Sequence, residues 1–80
     1  MRHFAPRGVL GSVNYLVTHE VQMGHWEPLG VIRLEEWERV GAAIARLDRN
    51  ALPGVFRLIE LEGAGWFELE VASDGVVVEP

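Results

Sequence analysis

The chain has 80 residues, 12 acidic against 7 basic side chains, a formal net charge of −5 and no cysteine. This length allows one domain with a thin core, because so short a chain buries only somewhat over ~60% of its unfolded surface. The lack of cysteine excludes disulfides, thiolate metal ligands and a cysteine nucleophile. All 7 basic residues are arginine, a composition typical of GC-rich bacterial or phage coding.

The pattern of charge and hydropathy disfavours both nucleic-acid binding and membrane insertion. Phosphate contacts need a basic stripe, and the sequence shows none. No apolar run approaches the ~20 residues that span a bilayer, and the N-terminus lacks the apolar core of a signal peptide. We therefore expect a cytoplasmic protein without direct contact to nucleic acid or membrane.

The first eight residues, MRHFAPRG, predict a flexible arm, because proline and glycine break regular structure next to basic side chains. Residues 9–80 are expected to form a single α+β domain. An alternative for the arm is to fold over an acidic sheet or to reach a neighbouring subunit.

The domain is predicted to begin with a β-hairpin. Val13, Tyr15 and Val17 alternate with more polar residues, which is the pattern of a half-buried strand. A turn is expected at residues 23–25 and a second strand at residues 29–33, since proline at position 28 suits the start or edge of a strand.

An amphipathic helix is predicted over residues 34–50, LEEWERVGAAIARLDRN. Acidic residues crowd its first turns and arginines its last, as the helix dipole favours. Asn50 is the expected left-handed C-cap, and the Pro53-Gly54 pair ends the helix. The apolar stripe that recurs at helical spacing consists of Trp37, Val40, Ile44 and Leu47.

Three further strands are predicted at residues 55–62, 66–72 and 76–78. A three-residue loop at 63–65 would place Glu60 opposite Glu68 and Ile59 opposite Leu69. A two-residue Asp74-Gly75 turn would then join the last two strands. The fold class is thus α+β, a single mostly antiparallel sheet in the order β-β-α-β-β-β with one amphipathic helix on one face. The predicted core comprises Val13, Tyr15, Val17, Val31, Trp37, Val40, Ile44, Leu47, Ile59, Leu61, Phe67, Leu69 and Val71.

The same register predicts an acidic sheet face that contains tryptophan. Such a face is either an ordinary solvated surface or a surface that docks a basic partner. Tryptophan is enriched at binding hot spots, and complementary charge speeds association. The glutamates alternatively suit a divalent cation, although no Asp-rich loop accompanies them. The predicted partner-binding residues are Phe56, Leu58, Glu60, Glu62, Trp66, Glu68 and Glu70.

One cluster resembles metal or acid–base chemistry: His19, Glu20 and His25. It fails the H-E-x-x-H template, which places two histidines four residues apart on one helix face. The paired carboxylates Glu60 and Glu68 have no evident cleft that would raise a pKa. A protein without catalytic residues, metal or cofactor is therefore expected, and a small metal-dependent enzyme is the weakest alternative.

Residues 31–40, VIRLEEWERV, resemble the strand-into-helix segment of prevent-host-death type antitoxins, but the basic DNA-binding region of that family has no counterpart here. The order of elements resembles that of small bacterial inhibitor, immunity and phage accessory proteins. The sequence thus predicts an acidic, non-catalytic module that docks a basic protein, one form of which would mimic nucleic-acid charge. The alternative is a homodimer formed through Phe56, Leu58 and Trp66 or through an open strand edge.

Overall fold

The computed structural model describes residues 9–78, with side chains described from residue 13 onwards. The predicted arm at residues 1–8 lies outside the described residues, as do residues 79 and 80. Five strands form one antiparallel sheet in the order β2-β1-β3-β4-β5. The strands are β1 (Val9–Gln22), β2 (His25–Glu36), β3 (Gly54–Glu60), β4 (Trp66–Val71) and β5 (Val77–Val78).

One short helix, α1 (Val40–Leu47), lies between β2 and β3 in the chain, flanked by 3₁₀ turns at Trp37–Arg39 and Arg49–Ala51. The predicted α+β class, a single antiparallel sheet with one helix, is therefore confirmed. Within residues 9–78 no helix is long and apolar enough to cross a bilayer.

The first hairpin is longer than predicted. Gln22 pairs with His25 across a two-residue turn, and Gly24 in that turn has φ +79°, which glycine adopts without strain. The second strand therefore starts at His25 and not at residue 29. Pro28 is tolerated inside β2 because β2 is an edge strand.

The end of β2 corrects both the predicted core and the predicted helix. Ile32 and Leu34 are buried, whereas Val31 is 54% exposed, so the prediction of Val31 in the core was wrong. Strand pairing continues to Glu36 and replaces the first turn of the predicted helix. No described non-glycine residue has positive φ, so the predicted left-handed cap at Asn50 was also wrong; the Asp48 side chain accepts a hydrogen bond from the Asn50 backbone N–H instead (2.9 Å).

The core is built around aromatic contacts between the helix region and the sheet. Trp37 packs edge-on against Phe67 with ring centroids 5.0 Å apart, and Phe67 packs likewise against Tyr15 at 5.5 Å. Val13 and Leu47 lie at the margin of this cluster and are partly buried. The buried cluster comprises Tyr15, Val17, Ile32, Leu34, Trp37, Val40, Ile44, Phe56, Leu58, Phe67, Leu69 and Val71.

The register between β3 and β4 differs from the predicted one. Ile59 pairs with Trp66 and Arg57 with Glu68, so residues 61–65 connect the strands instead of 63–65. The predicted and observed registers differ by three residues. Because a shift by an odd number reverses the faces, the side chains of β3 point to the opposite side from the one predicted. Arg57 and Glu68 then form a direct cross-strand ion pair with Nε and Oε1 3.1 Å apart, where the predicted register opposed two glutamates.

The inward and outward faces of β3 were therefore predicted the wrong way round. Phe56 and Leu58 are fully buried, whereas Ile59 is 39% and Leu61 51% exposed. The connection from β4 to β5 also differs, since the Ala72 backbone N–H donates to the Val76 carbonyl (2.8 Å) and leaves a three-residue turn. Val77 therefore packs against the core while Val78 remains 43% exposed.

The helix contacts the β4–β5 turn at a point where only glycine fits. A Cβ added at Gly41 would overlap the backbone carbonyl oxygen of Gly75, which itself has φ +86°. Backbone atoms of the two segments are therefore in direct contact, and this contact limits how closely the helix can approach the β4–β5 turn.

We expect Gly41→Ala to destabilise the protein by about 1–2 kcal/mol. The overlap is with backbone atoms, so the overpacking cost should be about 2–3 kcal/mol, from which a gain in helix propensity of about 1 kcal/mol is subtracted. Urea unfolding measures the change. Ala42→Gly, at the neighbouring exposed position, gives the scale of the propensity effect alone. A stabilised Gly41→Ala variant would contradict the contact between the helix and the turn.

Two leucines of the same region test the corrected register. Leu58→Ala should cost about 2–5 kcal/mol, because it empties a buried site. Leu61→Ala should change the free energy of unfolding by no more than about 0.5 kcal/mol, because half of that side chain is already exposed. The register predicted from the sequence reverses this order, so a larger loss at Leu61 in chemical unfolding would contradict the pairing of Ile59 with Trp66.

Tyr15 and Glu60 meet beside the β3–β4 connection. Burial raises the pKa of Tyr15 above its ordinary value, and the Glu60 carboxylate raises that pKa further. The Glu60 side chain lies against the loop, since a Cβ added at Gly65 would be 2.8 Å from Glu60 Oε2. Because the folded-state pKa is raised, this group contributes stability below pH ~10 that is lost as the pH rises through the folded-state pKa.

Tyr15 is the single tyrosine of the chain, so tyrosinate absorbance reports its ionisation alone. We expect a titration midpoint above ~10. Glu60→Gln should lower this midpoint without restoring the ordinary value, because burial is the larger cause. The exposed Glu70→Gln variant is the control, and equal midpoints for the two variants would show that Glu60 does not act on Tyr15.

Candidate functional site: the outer face of the sheet

The sheet has an inner face towards the core and an outer face on the opposite side. Tyr15 opposes Ile32 and Val17 opposes Leu58, which fixes these residues as inward. Their neighbours along each strand point outward by alternation. We call this second side the outer face; none of its side chains belongs to the buried cluster among the described residues.

An apolar row crosses the middle of the outer face. Leu16 lies opposite Val31 on one side and opposite Ile59 on the other, and Ile59 lies opposite Trp66. Four neighbouring strands thus contribute one apolar side chain each at the same level. Val31 and Ile59 are 54% and 39% exposed, so the row forms contiguous apolar surface and not scattered single residues. The apolar row consists of Val31, Leu16, Ile59 and Trp66.

A tryptophan–arginine–tryptophan stack stands beside the apolar row. The Arg57 guanidinium carbon lies 4.1 Å from the Trp26 ring centroid and 5.1 Å from that of Trp66, within the range of a cation–π interaction. Glu68 holds the same guanidinium through Nε. Thr18 Oγ1 donates a hydrogen bond to the Arg57 carbonyl oxygen (3.2 Å), which ties the backbone under the stack to β1.

Trp26 reaches the outer face through a β-bulge. Val17 pairs with Gly30 but Thr18 pairs with Pro28, so Leu29 is the extra residue. Without it, Trp26 would point to the same side as the buried Ile32, because the two residues are an even number of positions apart in the strand. Trp26 is not among the site residues predicted from the sequence; a proline and a glycine within two residues of each other were the available signal for the bulge.

The predicted site residues occupy three different environments. Trp66, Glu68 and Glu70 lie on the outer face, as expected. Phe56 and Leu58 are fully buried and lie on the inner face, so their predicted exposure was wrong. Of the two remaining glutamates, Glu60 is the last residue of β3 and Glu62 lies in the β3–β4 connection.

Glu60 and Glu62 differ in what they contact. The Glu60 carboxylate is folded against the glycines of the loop, away from the outer face. Glu62 is exposed and its Oε1 accepts a hydrogen bond from Asn14 Nδ2 (2.9 Å), which holds it at the border of the outer face. The single acidic face that the predicted register required is therefore broken up, and only part of it survives.

A different set of carboxylates surrounds the outer face. Glu35 lies on the same face of β2 as Val31, and Glu70 lies on the same face of β4 as Glu68. Glu20 lies opposite Trp26. The arginines described on this face are Arg33 and Arg57, the second of which is neutralised by Glu68. The face thus has an apolar and aromatic centre with an acidic border. We call this border the acidic rim: Glu20, Glu35, Glu62 and Glu70.

The three residues considered for a metal site, His19, Glu20 and His25, make contacts with three different partners. The ring of His19 stacks on Phe56 at 6.4 Å on the inner face. Glu20 Oε2 accepts a hydrogen bond from the Gly24 backbone N–H (2.9 Å), and His25 Nε2 lies 3.5 Å from Glu27 Oε2. In residues 9–78 no group of three or more His, Asp or Glu side chains is placed to hold a metal ion.

Both edges of the sheet carry features that discourage pairing with another strand. The edge strand β2 contains Pro28, a bulge and several charged side chains, and the opposite edge strand β5 has only two residues. Natural sheets use these same devices to prevent edge-to-edge association. The outer face, rather than an open edge, is therefore the candidate interaction surface.

Comparison of the chain with models of protein families, with curated proteins and with solved structures found no match in any of the three.

Proposed function

We propose that the protein is a small non-catalytic binding module that docks a basic partner protein in the cytoplasm through the outer face of its sheet. The observation that carries this proposal is the combination of a contiguous apolar row, a tryptophan stack and a surrounding acidic rim on one face. The proposal keeps the acidic, tryptophan-containing docking surface predicted from the sequence. It replaces Phe56, Leu58 and Glu60 by residues that reach the outer face.

The centre of the face supports a protein partner because it exposes the side chains that dominate binding energy. Tryptophan and arginine are enriched at hot spots, which cluster in the middle of interfaces and are surrounded by residues that exclude water. Trp26 and Trp66 are half-buried and are held by Arg57, so their rings lose little freedom on binding. Such preorganised aromatic surface favours docking over mere solvation.

The rim supports a partner of opposite charge and disfavours a second copy of this chain. Glu35, Glu62 and Glu70 are exposed, and the whole chain carries a net charge of −5. Two copies joined face to face would bring acidic rims together, and like charges across an interface cost several kcal/mol. A basic partner removes this cost and gains from steering, which raises association rates by about 10–10³-fold.

The rim can be tested with two variants of equal charge. The rim triple is Glu35→Gln, Glu62→Gln and Glu70→Gln; the control triple is Glu27→Gln, Glu36→Gln and Glu38→Gln, whose side chains lie off the outer face. Each protein is immobilised and used to capture proteins from an extract of the source organism, with quantification by mass spectrometry. A basic protein retained by the wild type and by the control triple should be reduced at least about ten-fold by the rim triple.

The same capture should weaken as salt concentration rises, because exposed charges are screened beyond about 10 Å at 0.1 M ionic strength. Equal capture by the rim triple and the control triple would overturn the proposal. Light scattering of the pure protein tests the homodimer alternative. A stable dimer that the rim triple strengthens would show that the outer face pairs with itself, because neutralising the rim removes repulsion between copies.

A further inference from the structure

We infer that the docking segment of the basic partner places an arginine side chain on the indole of Trp26, beside the carboxylate of Glu20. This inference rests on the proposed docking function and specifies which basic side chain the outer face selects. It treats Trp26 and Glu20 as determinants of specificity, whereas the remaining rim supplies general attraction.

A contact within the protein shows which side chain packs on its half-buried indoles. The Arg57 guanidinium lies against Trp26 at 4.1 Å from the ring centroid, while its Nε contacts the Glu68 carboxylate at 3.1 Å. An indole face and a carboxylate together thus hold one guanidinium on the outer face. Trp26 is only half-buried with Arg57 in place, so part of its indole remains accessible to a second cation.

Glu68 supplies the carboxylate that binds Arg57. Glu20 supplies a second carboxylate, at the position opposite Trp26. Glu20 and Trp26 are directly opposed in the antiparallel register, a position in which side chains of neighbouring strands touch. The Glu20 Oε2 atom accepts a hydrogen bond from the Gly24 backbone N–H, which fixes the carboxylate near the hairpin turn. Indole and carboxylate therefore occupy directly opposed positions of β1 and β2 in the protein without a partner.

Trp66 does not offer the same combination. Its direct cross-strand neighbour is Ile59, and the nearest carboxylate on its own face of β4, Glu68, is already paired with Arg57. A cation that approached Trp66 would thus meet an apolar neighbour and a neutralised acid. This difference between the two tryptophans makes Trp66 the matched control for Trp26.

The chemistry of the site favours arginine over lysine. A planar guanidinium can lie flat on an indole and at the same time present N–H groups to a carboxylate. A lysine ammonium is compact and strongly hydrated, so it gains less from the same ring. At an exposed site the cation–π contribution corresponds to about a 2- to 5-fold difference in dissociation constant.

The test uses fluorescently labelled nona-arginine and nona-lysine peptides at low ionic strength, with nona-citrulline as the planar uncharged control. Fluorescence anisotropy gives the dissociation constant of each peptide for each protein. The wild type should bind nona-arginine about 2- to 5-fold more tightly than nona-lysine, and should not bind nona-citrulline measurably. Trp26→Leu should bring the ratio close to one, whereas Trp26→Phe should keep part of it.

Glu20→Gln should lower the arginine preference, and Trp66→Leu should leave it in place. Urea unfolding of each variant shows that the fold is retained, and the conservative Trp26→Phe variant answers the question if Trp26→Leu does not fold. An arginine preference that Trp26→Leu leaves unchanged would overturn the inference. Equal binding of both charged peptides, reduced for both by the rim triple, would also overturn it while leaving the docking function intact. If the rim triple changes the affinity of neither peptide, the docking function itself fails.

Discussion

The structure depends on one pairing, Arg57 opposite Glu68 in neighbouring strands. This pairing fixes the register between β3 and β4, and the register decides which side chains of β3 face the helix. With Arg57 outward, Phe56 and Leu58 enter the core. A partly exposed ion pair contributes little energy by itself, but here it coincides with an arrangement that also buries both apolar residues and opposes unlike charges.

The same arginine connects the sheet with the proposed function. Its guanidinium separates two indoles that come from β2 and β4, so three strands contribute to one stack. The bulge at Leu29 is the second requirement, because it turns Trp26 away from the core side. A local irregularity in an edge strand and a cross-strand ion pair thus create the aromatic surface together. Neither feature would do so alone.

The two faces of the sheet have different roles. The inner face is closed by a short helix whose approach is set by the contact of Gly41 with the β4–β5 turn. The outer face keeps an apolar row between charged borders, although an 80-residue chain has little apolar surface to spare. The edges carry Pro28 and the short β5, features that disfavour pairing with another strand.

Sequence periodicity by itself determined the parts of the fold in which only one face is apolar. Alternation around Tyr15 and Val17 identified the inward side of β1, and helical spacing identified Trp37, Val40 and Ile44 as core residues. In residues 54–61 both alternating sets contain large apolar side chains, so periodicity gives no preference and only pairing with β1 and β4 decided the register. For the same reason the acidic face predicted from loop length was only partly correct, since Glu68 and Glu70 lie on the outer face whereas Phe56 and Leu58 are buried. The Trp26–Arg57–Trp66 stack joins residues distant in the chain, so only the tertiary structure brings it together.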